Sequence, residues 1–228
     1  MGTLDYSGAM PSLPEHLRPA PLGRDQFPRE MVAERQRERV LTAATEIFAK
    51  RGYRGTNVEH VVSGARIGVT SFYSLFGGKE DCFLAVYDRV VSEGRERLAA
   101  AVEAGAPWPE RLLAGLRALL QLIEERPFAA RIALVEVHAA GATARAHHDR
   151  DLEDAAAMLR GGREHSPVAD ELPATLEFAT VGGLAWFLQQ RIVQGEAGGI
   201  AELLPEVLEI VVEPYLGEGA TAELAGSL

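Results

Sequence analysis

Residues able to do chemistry are few in this chain, and most stand outside any recognisable constellation. The sequence holds no Gly-rich phosphate loop, no G-x-S-x-G elbow, no H-E-x-x-H and no paired acidic motif. His147-His148-Asp149 has metal-ligand residue types, but adjacent histidines leave a helix in different directions and do not close on one ion. Cys82 is the single thiol, which excludes a disulfide framework and a Cys-rich zinc module. No catalytic residue, cofactor or metal is expected. What remains is a hydroxyl-rich stretch, Gly68-Val69-Thr70-Ser71-Phe72-Tyr73-Ser74, followed by Gly77-Gly78-Lys79. Its polar tips need a scaffold that holds them outward.

The elements available for that scaffold are helical. Residues 1–28 carry Pro11, Pro14, Pro19, Pro21 and Pro28 and read as a flexible Pro-rich arm. From Arg29 onward, Val40, Ala44, Ile47 and Phe48 share one helical stripe, which Gly52 ends after Lys50 and Arg51. Thr56 as N-cap, with Val58, Val61 and Val62 buried, predicts a short second helix ended by Gly64, and Val69–Leu75 predicts a third. A long helix follows from Lys79 to about 104. Pro and Gly then punctuate helices over 109–125, 127–139, 143–160, 173–195 and 200–216. Nothing alternates as a strand would. The expectation is an all-α fold of about nine helices: an arm (1–28), a three-helix module (29–78, its short helices over about 57–76), a larger helical domain (79–217) and a flexible tail (218–228). No run approaches ~18 uninterrupted apolar residues and no apolar leader stands at the N-terminus, so neither a membrane span nor secretion is expected, and the location is expected to be cytoplasmic.

Two short helices joined by a tight turn and packed on a longer one describe a helix-turn-helix. A formal charge of −10 argues against nucleic acid until it is divided along the chain. Residues 29–80 hold nine basic and six acidic side chains, whereas residues 90–228 hold eleven and twenty-two. A mildly basic head on an acidic body leaves DNA open as a partner. The residues then sharpen the pattern. Ser71-Phe72-Tyr73-x-x-Phe76-x-x-Lys79-Glu80-Asp81-x-Phe83, with Gly52-Tyr53-x-x-Thr56-x-Val58 upstream, resembles the TetR family of regulators. The resemblance is dense over about 29–88. It resumes at Val181-Gly182-Gly183, Arg191, Gly195-Glu196, Leu203-Leu204-Pro205 and Pro214-Tyr215-Leu216-Gly217. It implies a sequence-specific DNA-binding transcriptional regulator: a homodimeric repressor released from a pseudo-palindromic double-stranded operator by a small-molecule effector. A ligand-binding protein of this fold with degenerate DNA binding is the alternative, ahead of a small all-α enzyme.

The resemblance also implies roles. Val69, Thr70 and Ser71 would occupy the first turn of the recognition helix, capped by Gly68, with Ser74 one turn later. Thr and Ser hydroxyls can hydrogen-bond either kind of base, and methyl groups suit thymine. No Arg or Asn stands there for a bidentate contact, so direct readout should be modest and DNA shape should carry more. Thr56, Tyr73 and Lys79 would meet phosphates, joined by Arg35 and its neighbours Arg37 and Arg39. Arg66 stands where the family has Gly, and a side chain in a left-handed turn costs about 1–2 kcal/mol. The turn then either takes another shape or uses Arg66 on phosphate. In the larger domain, Phe128, His138, Met158, Phe178 and Trp186 would line a cavity for a largely apolar effector. Leu184, Phe187, Leu188, Leu204, Leu208 and Val211 would form the dimer interface, with Gly182-Gly183 marking a close helix approach.

Overall fold

A computed structural model describes residues 29–217 and Gly219; the expected arm, and the tail apart from Gly219, lie outside them. Among the described residues the chain forms nine α-helices and no strand. They are α1 (Arg29–Arg51), α2 (Val58–Ala65), α3 (Val69–Leu75), α4 (Lys79–Ala101), α5 (Trp108–Glu125), α6 (Pro127–Leu134), α7 (Ala142–Leu159), α8 (Leu176–Val193) and α9 (Leu204–Leu216). None is long and apolar enough to cross a membrane. The expected helix over 127–139 is two pieces. Val135 caps α6 at φ −117°, ψ −60°, and a tighter 3-10 turn, Glu136–Ala139, follows. That corner matters below.

Two buried clusters organise the packing. The first joins Val40, Ala44 and Phe48 of α1 to Val61 and Val62 of α2, Phe72 of α3 and Phe83 and Val86 of α4, closed by Ile132 of α6 and by Val137. The second joins Leu113, Leu116 and Leu120 of α5 to Leu188 and Ile192 of α8 and to Leu204, Leu208 and Val211 of α9. Four residues expected at a dimer interface, Leu188, Leu204, Leu208 and Val211, are therefore spent inside the chain's own core. Leu184 and Phe187 pack against the same cluster, half-buried. The apolar periodicity of these helices was real, but a single helix of four turns offers two faces, and the more apolar one turned inward.

Close helix approaches also differ from expectation. A Cβ on Gly182 or Gly183 would meet nothing within 4 Å, so these glycines face outward. The tight contacts sit at Gly64, where a Cβ would stand 2.7 Å from Ile47 Cδ1, and at Gly162, where it would stand 2.6 Å from Trp108 Cη2. Behind Gly162 lies an ionic lock. Glu177 of α8 is fully buried and takes Arg163 Nε at 2.6 Å, Arg163 Nη2 at 3.2 Å and the Tyr215 hydroxyl at 3.2 Å. Arg163 also donates to the carbonyls of Leu172 and Pro173. One side chain thus ties the irregular segment before α8 to α8, and through Tyr215 to α9.

Cys82 is completely buried, and burial, followed by the neighbouring Asp81 charge, pushes its thiol up to about 12. The thiolate is the reactive form. Native protein is expected to leave a disulfide reagent unreacted at pH 8 until denaturant is added, which a colorimetric thiol titration checks.

Candidate nucleic-acid interface

The head is built outward from aromatic rings. Phe48 and Tyr53 stack with centroids 5.8 Å apart, and Phe83 meets both edge-on at 5.2 Å. α2 lies against α1 through Gly64. Its N-cap is Asn57, whose side chain accepts the His60 amide at 2.9 Å while His60 Nδ1 accepts the Asn57 amide at 3.2 Å, a reciprocal capping pair. Thr56, expected as both cap and phosphate contact, is neither. It is buried, and its hydroxyl donates to the Gly52 carbonyl at 2.8 Å. A hydroxyl spent this way fixes the exit of α1 and does not reach a ligand.

The turn between α2 and α3 keeps its left-handed residue although that residue is Arg66, at φ 53°, ψ 49°. Gly64 does not end the helix; Arg66 does, with amides returning from Arg66 to Ser63 O and from Ile67 to Val62 O. The strain is held by Arg39 of α1, whose guanidinium donates to the carbonyls of Ala65 at 2.6 Å and Arg66 at 3.0 Å. Arg39 therefore braces the turn from the exposed side of α1. Arg66→Gly is expected to relieve about 1 kcal/mol of backbone strain and raise the melting temperature by roughly 2–4 °C, as calorimetry would register.

α3 buries Phe72 and, at its C-cap, Phe76, over whose ring the Arg37 guanidinium lies at 4.8 Å. Its other side is open. Gly68, Val69, Thr70 and Ser74 are exposed, Ser71 is half-exposed, and Tyr73 is 56% exposed with its ring edge-on to Phe72. The Ser74 hydroxyl donates to the Ser71 carbonyl at 2.8 Å, which leaves its lone pairs outward as acceptors. The structure thus brings six of the expected contact residues onto one surface. Arg35 is exposed on α1. Lys79 is not part of that surface in the expected way. Its ammonium sits 4.2 Å from the Tyr53 ring centroid and donates to the carbonyls of Tyr53 at 3.1 Å and Thr56 at 3.0 Å. At the first turn of α4, Lys79 clamps the α1–α2 loop with two of its three donors.

Comparison with known proteins agrees with this geometry. The model of the family described as bacterial regulatory proteins, tetR family, matches residues 40–86, the stretch from mid-α1 into α4. The HTH-type transcriptional regulator HbdR of Aromatoleum sp. (strain CIB) is 23% identical over 202 residues, 84% of this chain and 86% of its own length. Residues 40–86 thus carry a TetR-type head. A second relative, the uncharacterized HTH-type transcriptional regulator YhgD of Bacillus subtilis (strain 168), is 29% identical, but the match spans only 36% of this chain and 43% of that protein. Among solved structures, the transcriptional regulator FadR from Bacillus subtilis in complex with stearoyl-CoA superposes with a TM-score of 0.64 at 18% identity, over 78% of this chain and 98% of FadR. It shares the fold.

The other expected site does not assemble. Phe128, His138, Met158, Phe178 and Trp186 are all exposed and line no common cavity. His138 instead meets His148 edge-on at 5.0 Å. A cleft of about 540 Å³ opens elsewhere, between α4 and α7, lined by Tyr87, Asp88, Val91, Arg95, His147 and Asp151 among others. It is laced with polar contacts: Tyr87 Oη donates to Asp151 at 2.5 Å, Arg95 reaches Asp151 and Asp154 at 2.7 Å, and His147 meets Asp88 at 3.0 Å. The expected pocket was built on aromatic residues, and of this cleft's charged lining only His147 stood out in the sequence.

Proposed function

We propose that this chain is a homodimeric transcriptional repressor that reads operator DNA with α3 and is released by a small-molecule effector. One observation carries the reading: α3 is a hydroxyl-bearing helix, fixed by Phe72 and Phe76 below and turned entirely outward above. In this reading Val69, Thr70, Ser71 and Ser74 meet base edges in the major groove. Tyr73, Gly68 and Arg35 meet the backbone, while Thr56 and Lys79 keep the head in shape. Residues 29–78 form the reading unit and residues 79–217 the effector and dimer unit. The exposed apolar face of α8 and α9, with Phe178, Trp186, Val193 and Ile210, supports the dimer. For the effector, the α4–α7 cleft supports a ligand with a polar or ionic group, since Val91 and the Tyr87 ring are nearly its only apolar lining. FadR's stearoyl-CoA, an acyl chain on a charged carrier, combines both characters. Such a ligand lowers operator affinity only if it binds the released arrangement more tightly.

The test is fluorescence anisotropy against duplex flanking the chain's own gene, titrated with salt and competed with unrelated DNA. Saturable binding that survives the competitor is expected. Tyr73→Phe is expected to weaken operator and unrelated duplex alike by about three- to tenfold, the effect of one lost hydrogen bond. Thr70→Ala should change the preferred sequence more than the affinity for unrelated duplex. Binding indifferent to sequence, unchanged in both variants, would favour a ligand-binding protein without a reading head.

A further inference from the structure

The corner after α6 reaches the head through one carboxylate. Glu136 is 6% exposed, and its two oxygens take different partners. Oε2 accepts the Tyr53 amide at 2.8 Å, across 83 residues of sequence. Oε1 accepts Arg131 Nε of α6 at 3.1 Å. Gly52, at φ +74°, leaves it room; a Cβ there would stand 3.3 Å from Oε2. Tyr53 is no peripheral residue. Its ring belongs to the Phe48–Phe83 cluster, and its carbonyl is held by Lys79 at the start of α4. The other end of α6 touches α1 as well, with the Lys50 ammonium 5.1 Å from the Phe128 ring centroid. A buried carboxylate with one partner on each side fixes the distance between them, because releasing either leaves charge uncompensated.

We propose that Glu136 is a positioning residue for operator binding: anchored to α6 by Arg131, it holds the α1–α2 loop by the Tyr53 amide and so sets the angle at which α3 is presented. The inference rests on the DNA-binding reading above. It gives the larger domain a second hold on the head, separate from α4, and any ligand that displaces the 136–139 corner is felt at Tyr53.

The test uses the full chain with Glu136→Leu, Glu136→Gln and Arg131→Met, read by hydrogen exchange without DNA and by anisotropy with it. Glu136→Leu is expected to speed exchange of the Tyr53 amide by about ten- to a hundredfold and to weaken operator binding similarly, the scale of a hydrogen bond to a charged group. Exchange in α5, α8 and α9 stays as in the parent chain. Glu136→Gln keeps one acceptor oxygen for the Tyr53 amide but turns an NH2 toward Arg131. It therefore rescues most of the Tyr53 exchange while operator binding stays several-fold weakened, as in Arg131→Met. Arg131→Met, which leaves Glu136 in place, weakens operator binding several-fold with the fold intact and serves if Glu136→Leu unfolds. Unchanged Tyr53 exchange, failure of Gln to rescue that exchange, or parental operator binding in Glu136→Leu and Arg131→Met would overturn the proposal. If the parent chain itself ignores sequence, the DNA reading fails, while the exchange rates still decide whether Glu136 holds the loop.

Discussion

Glu177→Ala is expected to lower the melting temperature by roughly 5–10 °C, among the largest losses available to a single substitution away from the head. The reason is what stays behind. Glu177 is 2% exposed, and its removal strands the buried Tyr215 hydroxyl and deprives Arg163 of both carboxylate oxygens. Breaking one half of a buried pair costs more than the pair itself contributes, because the survivor keeps its desolvation without compensation. The Arg163 guanidinium holds the Glu177 carboxyl below its ordinary value of 4.5. A depressed carboxyl contributes stability that is fully present above the ordinary value and is lost as pH falls through the depressed one. The melting-temperature gap between the parent chain and Glu177→Gln should therefore be constant from pH 7 to about 5 and close as the pH is lowered below 4.5. A gap that persists undiminished in acid would mean that shape, not charge, holds this lock.

The lock and the head differ in how far the sequence exposed them. The bounds of α3 follow from Gly68, the Val69–Leu75 pattern and Gly77-Gly78, all local signals, and the helix stands where the pattern puts it. Its outward residues follow too, since Phe72 and Phe76 choose the buried side. The contacts that position α3 are of another kind. Arg39 reaches Arg66 across 27 residues, Lys79 reaches Tyr53 across 26 and Glu136 reaches it across 83. Each partner is a backbone carbonyl or amide, which carries no residue-type signature. Asn57 three residues before His60 was a visible signal, the spacing of a capping pair, but Thr56 next to it is the better-known cap type and hid it. Lys79 reads from sequence as a cation beside a helix start, and its hold on the carbonyls of the α1–α2 loop is invisible there. In the larger domain the ambiguity is geometric. Every apolar position of α8 fits both a core and an interface, and only the packed structure shows that Leu188 and Ile192 are buried in the second cluster while Trp186 is exposed.

That outward face supports the second large effect. Phe178 is 54% exposed, Trp186 and Ile210 are 63% exposed, and Gly182 and Gly183 lie between Phe178 and Trp186 on α8 with open space above them. Outward glycines in a helix interior lose about 1 kcal/mol each against Ala without any return within the chain. They repay that loss only if another backbone comes close, and a second copy of the same face brings Trp186 with it. Trp186→Glu is expected to leave helix content and the melting profile of the monomer nearly unchanged, because the side chain makes little contact with its own chain. It should convert the dimer to monomer in light scattering, since a carboxylate would be desolvated without a partner. Operator affinity should then fall by at least about a hundredfold, the avidity lost when two half-sites are no longer bound by linked heads. Binding to an isolated half-site should not change. A variant that stays dimeric would move the interface elsewhere. One that becomes monomeric yet keeps full operator affinity would remove two-fold symmetry from the account of how this head reads DNA.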